Sequence, residues 1–196
     1  MMKKTISVMA IALLCLASAF AGLKIGATMT TKIDTDQDLA GSVYSLDVSE
    51  RDYWADPPEQ GRFGFTLASD FMLSVTFGNF HVSQPIHADI GMSILPGISY
   101  SVNSRMCVSA LAGVRYTRLG YHGDVEAADG WDRLLNIATL GILGANPVRK
   151  IDTLVDLGVK FKGMGFGVQF AYPVWQKGVT DYKDGFTASF YTFFNW

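Results

Sequence analysis

Cysteine is nearly missing from this sequence. There are two, Cys15 and Cys107, and Cys15 falls in a segment that reads as a removable leader, so the remaining body cannot close an internal disulfide. Cys107 then reads as a small strand residue. Charge is scarce as well: 17% of residues are charged, against about a quarter in a typical soluble domain. Outside the leader no stretch approaches the run of about 18 apolar residues that a membrane-spanning helix needs. His81, His87 and His122 show no metal-ligand spacing. The formal net charge is −2, and losing Lys3 and Lys4 with the leader takes it to −4, which excludes the basic footprint of a nucleic-acid binder.

What the chain does have is apolar and aromatic side chains, 49% and 13% of its 196 residues, enough for one domain. Residues 1–21 read as a secretory signal peptide. Met1-Met-Lys-Lys4 is its positive region, Thr5 to Ser18 its apolar core and Ala19-Phe-Ala21 its cleavage site. Residues 22–196 then form the mature domain. If that domain sits in a membrane it does so as a closed barrel, because apart from helices only barrels satisfy their backbone groups in lipid.

The apolar residues take alternate positions. In the last stretch Phe186, Ala188, Phe190, Thr192, Phe194 and Trp196 share one face, and Thr187, Ser189, Tyr191, Phe193 and Asn195 the other. That period of two marks a strand with hydrocarbon on one side and a lumen on the other. Similar alternation predicts eight strands, near 23–33, 61–69, 71–80, 88–101, 105–121, 150–161, 165–175 and 185–196. Arg62 to Phe80 alternates throughout, with Asp70 in the middle; a single long strand and a hairpin turning at Ser69-Asp70 both fit. A transmembrane strand needs about 9–11 residues, which favours the hairpin. Val102-Asn103-Ser104 reads as a three-residue turn and Lys162 to Gly165 as a four-residue one. Pro96 removes a ladder hydrogen bond and marks a candidate bulge. Residues 34–61 hold six aspartates, two glutamates and Pro57-Pro58 and read as a long polar loop. Within it Tyr44, Leu46 and Val48 hint at a strand, and Asp34, Asp36 and Asp38 resemble the start of a calcium loop that lacks its glycine. Trp131 to Ala145 fits a loop carrying a short helix over 131–145; an extra strand is the alternative, which raises the count to ten. The three tight turns near 70, 103 and 163 then share one end of the barrel and the longer loops the other, as in outer-membrane barrels.

On these features the chain resembles the small eight-stranded outer-membrane proteins, the OmpX, opacity-protein and OmpW-like group. The resemblance implies a single antiparallel up-and-down transmembrane barrel in the bacterial outer membrane, without a cofactor and without catalysis. The segment Phe190-Tyr-Thr-Phe-Phe-Asn-Trp196 is similar to the signal read by the barrel-assembly machinery, with Phe190, Phe194 and Trp196 as its outward residues. The partners implied are the outer-membrane bilayer, that machinery, and a small solute or host surface ligand.

Eight strands enclose a space about filled by side chains. The charges predicted to point inward are Lys24, Asp89, Arg105, Arg115, Asp152, Asp156 and Lys160, and in so narrow a lumen they must pair. The expected function is therefore a filled barrel with a structural or surface-interaction role. The alternative is an OmpW-like conduit for small hydrophobic or zwitterionic solutes. A third reading, a lipid A-modifying enzyme, rests on a loose likeness of His81 and Ser83 to lipid A deacylase barrels and lacks a carboxylate placed to orient the histidine.

Overall fold

The structure, a computed structural model, describes residues 22–33, 39–77, 86–120, 148–178 and 183–195. These residues form eight strands: β1 (Gly22–Ile33), β2 (Leu39–Tyr53), β3 (Phe63–Phe77), β4 (Ile86–Asn103), β5 (Met106–Leu119), β6 (Val148–Phe161), β7 (Met164–Lys177) and β8 (Lys183–Asn195). Each pairs antiparallel with the next, and β8 pairs back on β1, giving a closed barrel. Closure starts with Gly22 opposite Asn195 and runs through Ala27 opposite Phe190. No helix occurs among the described residues.

The alternation has the physical meaning expected of it. Phe190 is 71% exposed and its neighbour Tyr191 5%, so successive residues of β8 face opposite sides of the wall. Phe63, Phe65 and Phe71 of β3, Met92, Ile94 and Ile98 of β4, and Phe166 and Phe170 of β7 also point outward. An exterior of large apolar side chains around an interior of threonine, serine and paired charges is stable against hydrocarbon, not water. Tyr44, Tyr116, Tyr172 and Trp175 lie exposed toward one rim, where an aromatic girdle belongs.

Two strand assignments are corrected, and the errors cancel in the count. Residues 39–53, expected within a polar loop, form β2, with Tyr44 and Leu46 outward and Asp47, Ser49 and Arg51 inward. Residues 63–77 are one strand, not a hairpin, and Asp70 sits inside it opposite Ser93 of β4 and Arg51 of β2. An inward aspartate met by two cations needs no turn to reach a polar partner. Residues 54–62 therefore lie at the same end as both strand termini, together with the turns after β4 and β6.

Turn chemistry is adjusted in the same way. The β4–β5 turn has two residues, Ser104 and Arg105, and a register shift between Ser101 and Asn103 restores the parity that a three-residue turn would have given. The Asn103 side chain accepts the Arg105 N–H at 2.8 Å. Gly163 carries the β6–β7 turn at φ 85°, a left-handed conformation that suits glycine. Pro96 causes no register shift. Its strand loses contact toward β5 at Leu95 and Pro96, then resumes the same register at Gly97 opposite Leu111. Nearby the two backbones approach so closely that a Cβ on Gly113 would lie 1.9 Å from the Ile94 carbonyl oxygen.

The expectations for the leader at 1–21, the calcium-like run at 34–38 and the helix or strand at 131–145 concern positions outside the described residues, as do His81, His122 and Trp196.

Candidate functional site: the lumen

The inward positions of the eight strands carry six cations, Lys24, Lys32, Arg51, Arg115, Lys150 and Lys160, among the described residues. They also carry six anions, Asp47, Asp70, Asp89, Asp152, Asp156 and Asp184. Among the described residues these inward charges therefore sum to zero, and buried charges are tolerated where they are paired in this way.

Most of these groups join in one column along the barrel axis. At the end away from the termini, Lys32 of β1 and Lys150 of β6 both donate to Asp184 of β8, Lys150 at 2.7 Å. Lys150 also lies 3.6 Å from Asp152, which accepts from Arg115 of β5 at 3.0 Å. Arg115 reaches Gln169 of β7 at 3.4 Å, and Gln169 donates to Asp156 at 3.2 Å. Arg51 then bridges Asp156 to Asp70, and Lys24 closes the column on Asp70 at 2.9 Å.

Arg51 is the hub. Its Nε and Nη2 donate to Asp70 at 2.6 and 2.8 Å. Nη2 and Nη1 donate to Asp156 at 2.8 and 3.2 Å, and Nη1 also reaches the Tyr191 hydroxyl at 2.9 Å. A guanidinium has five N–H groups in a fixed fork, and these five bonds use them all. The Tyr191 hydroxyl in turn donates a hydrogen bond to Asp156 at 2.7 Å, and its ring lies beneath both Lys24, 4.4 Å away, and Arg51, 4.8 Å away. An apolar set, Ala68, Leu95, Leu111, Leu154 and Ala171 with Tyr53 against it, fills the wall opposite. Leu95, Leu111 and Leu154 make this side of the lumen apolar.

Two cavities flank this plug. One of 40 Å³ lies in the half away from the termini, between Thr28, Asp47, Arg115, Lys150 and Asp184, room for a few water molecules. The other, of 190 Å³, lies at the end that holds residues 54–62 and is lined in part by Tyr53, Ser99, Cys107 and Lys160.

The predicted site residues divide accordingly. Lys24, Arg115, Asp152 and Asp156 belong to the column. Asp89 points inward but stands apart, accepting from Thr76 Oγ1 at 3.2 Å and the Gly120 N–H at 2.9 Å. Lys160 lies beyond the column, half-buried, its ammonium 5.1 Å over the Tyr53 ring. Arg105 is a correction: it occupies the exposed β4–β5 turn, because β5 begins one residue later than its alternation suggested. Phe190 points outward and Phe194 is half-buried. Sequence reasoning missed Lys32, Arg51, Asp70, Lys150, Gln169, Asp184 and Tyr191 as members of the column. Their one local signal is an inward position in a strand; for Arg51 that stretch was read as a loop, for Asp70 the hairpin was preferred to the single strand, and Asp184 lies just before the expected start of the last strand. No metal-holding group of histidine, cysteine and carboxylate side chains occurs among the described residues.

No protein-family model matches this chain, and no curated protein matches it. Among solved structures it is similar to the attachment invasion locus protein Ail of Yersinia pestis, at 10% identity and a TM-score of 0.39 over 88% of this chain and 95% of that one. It is also similar to the outer membrane enzyme PagL, at 11% identity and a TM-score of 0.43 over 86% and 97%. The N-terminal β-barrel domain of Pseudomonas aeruginosa OprF matches at 12% identity and a TM-score of 0.39 over 90% and 98%. These neighbours are small eight-stranded outer-membrane barrels. At such distances nothing about function follows from them, and the barrel stands on its own ladders.

Proposed function

We propose that this protein is an integral outer-membrane barrel sealed along its axis, with a structural or surface-contact role and no catalysis. The observation that carries the reading is the saturated Arg51: all five of its donors are spent on Asp70, Asp156 and Tyr191, among described inward charges that balance. An always-charged group held by two carboxylates blocks both water and ions at the narrowest kind of barrel. In this reading the termini and the connections after β2, β4 and β6 face the periplasm. The connections after β1, β3, β5 and β7 face outward and would meet a host or envelope ligand. The bilayer is the first partner, and the outward row of β8 from Phe190 is what the assembly machinery would read.

The test has two steps. Protein from outer-membrane fractions should shift its gel mobility on boiling, as closed barrels do. Reconstituted in planar bilayers it should pass no current above the lipid baseline; stepwise conductance of the unmodified protein would overturn the seal.

One observation favours a second reading, a conduit for small hydrophobic or zwitterionic solutes. The β7–β8 ladder ends at Ala171 opposite Thr187, although β7 runs on to Lys177 along β6 and β8 begins at Lys183 along β1. Across this slit the Asp184 N–H donates to the Gln176 side chain at 3.0 Å, and Asp184 and Thr187 also line the outer cavity. Solute uptake by proteoliposomes that stops when Tyr172→Cys and Phe186→Cys are joined by a disulfide would decide for the conduit.

A further inference from the structure

The connection between β2 and β3 is tied down at several points. The Trp54 N–H donates to the Leu67 carbonyl at 2.8 Å, the Gly61 N–H to Ser101 at 2.7 Å, and the Ser101 N–H back to Arg62 at 3.2 Å. Pro58 packs against Gly64, where a Cβ would meet the proline Cβ at 2.9 Å. Residues 54–62 thus form a strap over the end of the lumen, and the 190 Å³ cavity lies between the strap and the barrel wall. Nothing in the column needs this cavity: Lys160 reaches into it from β6, beyond the last carboxylate of the plug.

The polar lining is mostly of one kind. Lys160 brings an ammonium, a donor with no acceptor capacity, and Thr66, Ser99 and Ser109 bring hydroxyls that can donate. Tyr53 and Pro57 supply flat apolar walls. Asp56 lines the strap side and is exposed, which disfavours a ligand of more than one negative charge. Volume adds a limit: an apolar cavity of about 150 Å³ holds one benzene, so 190 Å³ admits a ring-sized body with one small polar group.

We propose that this vestibule binds a small monocarboxylate with an apolar body, the carboxylate toward Lys160 and the hydroxyls, the body between Tyr53 and Pro57. Under the orientation given above the ligand enters from the periplasm. The assignment itself needs only the cavity, so a conducting barrel would leave it standing.

Cys107 lines the same cavity and reports its occupancy. In the detergent-folded protein, the rate of Cys107 alkylation by iodoacetamide, followed by peptide mass mapping, is measured with benzoate, benzamide or inorganic phosphate. Calorimetric titration with benzoate runs in parallel. Benzoate should slow alkylation saturably and give a binding isotherm, while benzamide and phosphate should not. Lys160→Met should weaken benzoate binding by roughly tenfold to a hundredfold, the loss of one charge-assisted hydrogen bond, while keeping heat-modifiable mobility. Lys162→Met, in the exposed turn next door, should leave binding unchanged. Equal protection by benzamide or phosphate, or a titration without saturable heat, overturns the proposal. If Cys107 proves inert to iodoacetamide, the titration alone decides.

Discussion

Replacing Arg51 with methionine tests the column at its hub. The methionine fills similar space but leaves Asp70 with Lys24 alone and Asp156 with Tyr191 and Gln169. The lumen then holds five cations against six anions. Breaking a buried pair by removing one partner costs about 3–5 kcal/mol, a large share of the roughly 5–15 kcal/mol that holds a typical domain folded. With an m-value of about 2 kcal/mol per molar, the urea midpoint should fall by about 2 M. The double variant Arg51→Met with Asp156→Leu restores the balance at five against five and keeps the Lys24–Asp70 pair. Its residual cost is the Tyr191 hydroxyl and the Gln169 amide N–H, both left without Asp156, about 1 kcal/mol or more each, so part of the loss should return. The assay is the fraction of heat-modifiable, compact species across a urea series in liposomes. A single variant within about 0.5 kcal/mol of the parent, the scale of an ordinary surface change, would refute the reasoning. So would a double variant as weak as the single one.

Phe190→Arg places a charge near the middle of the outward face of β8 and should cost about 2–4 kcal/mol in a bilayer, whereas Phe63→Arg at the rim should cost about 1 or less; equal costs would argue against hydrocarbon on this surface. Tyr191→Phe removes one donor to Asp156 and one acceptor from Arg51 and should lower stability by about 1–3 kcal/mol in the same urea series. Gly113→Val drives side-chain atoms into the Ile94 carbonyl, and by far more than an overpacked core it should lower folded yield, read as the loss of the heat-modifiable band.

The exterior of the barrel was legible because hydrocarbon imposes the same demand at every outward position. Phe166, Val168, Phe170 and Tyr172 announce β7 without help from any other strand. The lumen was less legible because polar inward residues have no local signature of their own. Asp70 in an alternating run looks like a turn until Arg51 and Lys24 are known to meet it, and those lie 19 and 46 residues away. β2 was hidden for a related reason. Its inward face is Ser45, Asp47, Ser49 and Arg51, and its outward face ends in Glu50 and Asp52, so little of it reads as buried. The placing of Lys24, Arg115, Asp152 and Asp156 followed from parity alone. Their connectivity through Gln169 did not, since only the closed ladder sets which strands face each other across the axis.

Tyr191 arrives on the final strand, yet the carboxylate it contacts belongs to β6, the guanidinium to β2 and the neighbouring ammonium to β1. Before that strand docks, those ionic groups lie in an unzipped sheet where water can still solvate them. Shutting the wall and drying the interior thus become a single event, and a half-finished cylinder gains little from its inner charges. Such a molecule should populate two forms, open or sealed, with scarcely anything between.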